Sequence, residues 1–88
     1  MTKIYIYCLF DGRGSFHGVY SSVDASHRDA IKLCNKGPGN VLMEIDGKWE
    51  LPATTKLRNL FKGACDVQVR YSSGPLHQAL IIKTKLKE

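Results

Sequence analysis

Histidine and cysteine are the residues of this chain with the widest chemistry open to them. His17, His27 and His77 accompany Cys8, Cys34 and Cys65, a set that invites nucleophilic, acid–base or metal-binding roles. A thiol nucleophile needs a base within hydrogen-bond reach, a group that orients the base, and donors for the oxyanion. Cys8 and His17 fall on neighbouring predicted strands and could approach each other, but no segment supplies the rest of that set. No two histidines have the helical or hairpin spacing of a zinc site, and no Cys-x-x-Cys pair occurs. The cysteines are odd in number and widely spaced, which is no disulfide framework; they read as small buried hydrophobes in a reducing compartment. Asp11, Asp46 and Asp66 sit at predicted turns or strand starts, where short acids cap backbone groups. The expectation is a protein that is not an enzyme, with no catalytic residue, metal or cofactor.

Anion binding is the next chemistry to weigh. Arg13-Gly14-Ser15-Phe16-His17-Gly18 has the glycines of a phosphate loop, but the Gly-Lys-Ser/Thr ending is missing and a strand follows where a helix should. It reads as a hairpin turn with an arginine at its tip. Lys83, Lys85 and Lys87 alternate, so they project from one face of the last strand. With Arg58 and Lys62 they form the candidate nucleic-acid contacts. Lysines on an edge strand also guard against edge-to-edge association, and self-association through this strand is a further expectation.

Tyr5, Tyr7 and Tyr20 form the candidate protein-binding patch, with Arg13 at its margin. Two lie on the first strand and one on its neighbour, on a sheet face expected to point away from the helices; Tyr71 belongs to the same group. Tyrosine adds contact area at low entropic cost and is enriched in interfaces.

These side chains need a scaffold, and the composition bounds it. The 88 residues carry a formal net charge of +5, with 43% hydrophobic and 24% charged residues. That is one domain with a modest core, too apolar for disorder. A net positive charge favours anionic partners and also keeps a small domain soluble. No apolar run approaches the roughly 18–20 residues that span a bilayer, and the N-terminus lacks a signal peptide's long apolar region. The expectation is a cytoplasmic protein that does not engage a membrane.

The periodicity predicts ββα, ββα, ββ, an α+β sandwich with an antiparallel sheet of about six strands and two short helices on one face. Lys3 to Phe10 and Phe16 to Ser21 read as a hairpin, the first as an inner strand because both its faces are apolar. A helix from about Asp24 to Lys36 buries His27, Ala30, Ile31 and Cys34, starts at Ser21-Ser22 (or at Ser26 with Asp29), and stops at Gly37-Pro38-Gly39. A second helix capped by Thr54 or Thr55 buries Leu57, Leu60 and Phe61 and closes at Gly63. Asp66 to Tyr71 and Gln78 to Lys85 are the last two strands, joined by Ser72-Ser73-Gly74-Pro75.

Val41 to Leu51 is the clearest hairpin, two apolar runs about Asp46-Gly47. A two-residue turn would set Met43 against Glu50 and Glu44 against Trp49. A three-residue loop, Ile45-Asp46-Gly47 with Gly47 left-handed in a bulge, pairs Met43 with Trp49 and Val41 with Leu51. The bulged loop is the expected register, with the tryptophan on the floor under the helices.

Ile4-Tyr5-Ile6-Tyr7-Cys8-Leu9 resembles the first RNA-contacting strand of RNA-recognition domains, and Arg13 to Tyr20 faintly echoes their other motif. In that family a helix and a strand separate the two motifs, whereas here only a turn does. Phe16-His17-Gly18-Val19-Tyr20-Ser21-Ser22, followed by Asp24-Ala25 into a helix, resembles a pattern common in short phage and mobile-element proteins. The likeness covers about the first third of the chain. It implies a small accessory protein, some of which bind and disable a host enzyme or defence complex, with no shared catalytic residues.

Overall fold

The computed structural model describes residues 4–35, 39–45, 47–62 and 68–85. In chain order the elements are β1 (Tyr5–Asp11), β2 (Phe16–Tyr20), α1 (Val23–Cys34), β3 (Leu42–Ile45), β4 (Lys48–Glu50), α2 (Thr54–Phe61), β5 (Gln68–Ser72) and β6 (Gln78–Lys85). The strands form one six-stranded sheet in the order β2-β1-β6-β5-β3-β4, every pairing antiparallel. This is the expected α+β fold.

One face of the sheet is covered. Leu9, Met43, Val69, Tyr71, Ala79 and Ile81 point to it, and Ala30, Cys34, Leu57 and Phe61 come down from the helices to complete the core. Leu57 and Phe61 stand four apart on one side of α2 and are fully buried, which contributes about 1.5–3 kcal/mol for each side chain. The Ser22 hydroxyl accepts the backbone N–H of Ala25 and caps α1, with Asp24 in its first turn and Lys32 in its last, charges placed to complement the helix dipole. α2 begins differently from expectation. Thr54 is already helical, Ala53 is the N-cap, and no side chain caps it. The expected stops at Gly37-Pro38 and Gly63, and the start of β5 at Asp66-Val67, lie outside the described residues.

Three expectations about the sheet are overturned. Met43 pairs with Glu50, Glu44 with Trp49 and Ile45 with Lys48, so Ile45 belongs to the ladder instead of the loop and the expected bulged register is not the one formed. The pleat is fixed by β5 instead: Met43 lies opposite Tyr71 in the core, and Trp49, on the alternate face, is 47% exposed. Gly47 keeps its positive φ of 78°. Second, β6 is not an edge. It is hydrogen-bonded to β1 on one side and β5 on the other, so from Ala79 to Ile82 both of its edges are taken. Third, the tyrosines of β1 and β2 point toward the helices, not away.

Candidate functional site

The tyrosine patch is largely structural. Tyr7 and Tyr20 are register partners, on the same face as Leu9. The Tyr7 ring packs 5.4 Å from that of Phe61, and burial pushes its hydroxyl pKa up. The Tyr20 hydroxyl donates to Asp29 of α1 at 2.7 Å; that bond and burial raise its pKa to about 12. Tyr5 lies under the Lys83 amine, 4.5 Å from ring centre to nitrogen. Tyr71 is fully buried. Both faces of β1 are apolar, so alternation alone could not say which face the helices cover.

The basic set is scattered. Lys83 is buried, and its amine donates to the backbone carbonyl of Phe61 at the end of α2. Arg58 grips Asp24 across the two helices through two guanidinium nitrogens, Nε at 3.0 Å, and holds that carboxyl below the usual range. Lys62 and Lys85 are exposed, while Lys87 lies outside the described residues. Arg13 is exposed at the β1–β2 turn. Asp11 organises that turn: its Oδ1 accepts the backbone N–H groups of Arg13 and Ser15, each at 2.9 Å, and its Oδ2 meets His17 Nε2 at 3.0 Å. The His17 bond, then that from Ser15, lower the Asp11 pKa.

The candidate catalytic groups do not converge. Cys8 pairs in register with Val19 and faces away from the helices, whereas His17 is held by Asp11. Cys34 is buried, which raises its thiol pKa to about 11. Cys65 lies outside the described residues.

What the sequence reading missed is the other face of the sheet. No helix covers it. From the pairings, one transverse row crosses all six strands: Phe16, Phe10, Leu80, Arg70, Glu44, Trp49. Val19, Cys8 and Ile82 form the row beside it. A bulge in the β1–β2 pairing sets this up. Leu9 pairs with Gly18 but Phe10 pairs with Phe16, so His17 is the extra residue and Phe16 is turned to the open side. There it meets Phe10 edge-on at 5.6 Å between ring centres. Phe16 is 58% and Val19 53% exposed. A depression of about 440 Å³ lies between Phe10, Leu80, Ile82, Arg70 and Trp49.

This face can hold an apolar surface, and Asp11, Arg70 and Gln78 also line its depression. The ion pairs among the described residues are Lys56–Glu50 and Arg58–Asp24, beside the His17–Asp11 hydrogen bond, so Glu44 and Arg70 stand in register without pairing to each other. Among the described residues no helix is long and apolar enough to cross a membrane. No protein-family model, curated protein or solved structure gives a significant match to the chain.

Proposed function

We propose that this protein is a small non-enzymatic binding domain that captures a protein partner through the β1–β2 end of its open sheet face. The observation that carries the reading is the exposure of Phe16 and Val19 on the face that neither α1 nor α2 covers. Soluble domains rarely leave a contiguous apolar patch larger than a few hundred Å² uncovered unless something docks there. Arg13, at the tip of the same hairpin, supplies a cation at the rim, where interfaces are polar. The resemblance of the β2 segment to short phage and mobile-element proteins gives the partner its class: a host protein or defence complex, bound stoichiometrically in the host cytoplasm.

The nucleic-acid alternative loses support from where its residues lie. Lys83 is occupied inside the fold and Arg58 is engaged by Asp24. The aromatic face itself carries one arginine and one glutamate in its central row, not the positive groove that tracks a phosphate backbone.

Immobilised protein is exposed to bacterial lysate, and Phe16→Glu, Val19→Glu and Arg13→Glu are compared with the unsubstituted chain. The two apolar substitutions should abolish capture of a specific partner with circular dichroism unchanged, and the arginine reversal should weaken it. Capture that survives both glutamates overturns the reading. So does oligonucleotide affinity that falls steeply with salt in a gel shift.

A further inference from the structure

We infer that the β3–β4–β5–β6 part of the open face holds a second copy of this chain, forming a two-fold dimer in which two sheets pack face to face. The inference does not rest on partner capture, which uses the opposite end of the same face.

Charge is the first argument. An isologous interface sets one patch against itself, so in a chain of formal net charge +5 it must sit where that charge does not repel itself. The transverse row meets this requirement. Its charged members are Arg70 and Glu44, neighbours on β5 and β3, and they are not paired with each other among the described residues. A foreign acidic or nucleic-acid partner would need no such balance.

Geometry is the second. Take a two-fold axis parallel to the strands, running between β5 and β3. It places Arg70 over Glu44 of the second copy, and Glu44 over the second copy's Arg70. The strand order then sets β6 opposite the second copy's β4, so Leu80 faces the other Trp49. That indole enters the depression lined by Phe10, Leu80, Ile82, Arg70 and the first copy's own Trp49, so the two indoles meet across the interface. The contact has two outward charges exchanged and two aromatic anchors seated, the arrangement of interface hot spots. Sheets packed this way lie about 10 Å apart at roughly −30°.

Area is the third. Four strands about 4.8 Å apart and some five residues long project roughly 300 Å² per copy, which removes on the order of 1,000 Å² of accessible surface in total. That is the lower bound of a specific interface, so a dissociation constant on the order of 10 µM is expected. β1 and β2 overhang the contact, leaving Phe16, Val19 and Arg13 free at both ends of the dimer.

The single tryptophan is a built-in probe. Raising the concentration of the full chain from about 1 to about 200 µM should double its mass by sedimentation and shift the indole emission to shorter wavelength. Arg70→Glu and Glu44→Arg each create two like-charge contacts and should weaken the dimer roughly 100-fold. An equimolar mixture of those two variants should restore it, because each then meets its opposite only across the interface. The mixture separates this contact from any effect of the Glu44–Arg70 neighbours within one chain, and circular dichroism shows that each variant folds. Trp49→Ala, on the short edge strand, is a second route to the same loss. A chain monomeric at every concentration, a mixture that stays monomeric, or a dimer indifferent to both reversals overturns the inference. So does an emission shift produced by oligonucleotide instead of by concentration. Partner capture lost in Phe16→Glu while the chain stays monomeric would leave the proposed function standing and remove only the dimer.

Discussion

His27 Nδ1 and the Tyr71 hydroxyl lie 2.6 Å apart between α1 and β5, with ring centres 5.5 Å apart. Both side chains are buried, so one proton shared between them satisfies two polar groups at once. Burial lowers the His27 pKa and raises that of Tyr71, so the pair is neutral. Among the described residues no buried side-chain nitrogen or oxygen lacks a partner.

Tyr71→Phe removes the hydroxyl and leaves Nδ1 of His27 buried without a partner. The expected cost is about 1–3 kcal/mol, read as a lower urea midpoint at unchanged slope. His27→Leu combined with Tyr71→Phe should recover part of that loss, since both polar groups are then gone.

The same pair sets a pH dependence. His27 titrates lower when folded than its ordinary 6.5, so the unfolded chain takes the proton first. Its contribution is intact above that ordinary value, falls as pH drops through it, and stops falling below the folded pKa. Asp11 and Asp24 are also depressed; their contribution is complete above the ordinary carboxylate value and is lost as pH falls from there through their folded values. Stability measured against pH should therefore show two declines, and His27→Gln should flatten the upper one alone.

Lys83→Met keeps the length of the side chain and removes its ammonium. The Phe61 carbonyl at the end of α2 loses its donor, and stability should fall by about 1–2 kcal/mol in urea unfolding. Affinity for single-stranded oligonucleotides should not change, because this amine faces the core. A drop in that affinity would return Lys83 to the surface role its alternation suggested.

Much of the scaffold was legible in the sequence, and the failures share one cause. Helix faces were readable because α1 and α2 each carry one apolar stripe: His27, Ala30 and Cys34, then Leu57 and Phe61. Strand faces were not. In β1 the odd residues include Tyr7 and Leu9 and the even residues Cys8 and Phe10, two apolar sets with no polar one to mark solvent. Period-2 alternation then gives the two faces without saying which is covered. The Trp49 register failed for the same reason, since matching apolar to apolar presumes that every large apolar side chain goes inward. Lys83 misled in the opposite sense, as a charge that goes inside because a helix end supplies its acceptor. The β1–β2 bulge had only a faint mark, the break in alternation between Phe16 and Val19.

Gly47 occupies the positive-φ position of the β3–β4 turn at 78°. Nothing lies within 4 Å of where a Cβ would stand, so any cost of a side chain there comes from the backbone alone. Gly47→Ala should destabilise by about 1–2 kcal/mol, and Gly47→Asn by less, since asparagine tolerates this region. Equal losses for both, measured by thermal unfolding, would show that space and not φ limits the position.

The place of β6 has a bearing on how the molecule comes together. It follows every other strand in chain order, yet it alone joins the β1–β2 ribbon to the β5–β3–β4 ribbon. Pairing Leu9 with Ile81 closes nearly the whole chain into a loop, an entropic toll met before any of those contacts gives a return. During vectorial synthesis the two ribbons must therefore wait, unzipped, with their inner margins bare. Chaperone dependence, or sensitivity to nascent-chain proteolysis, should peak just before β6 emerges.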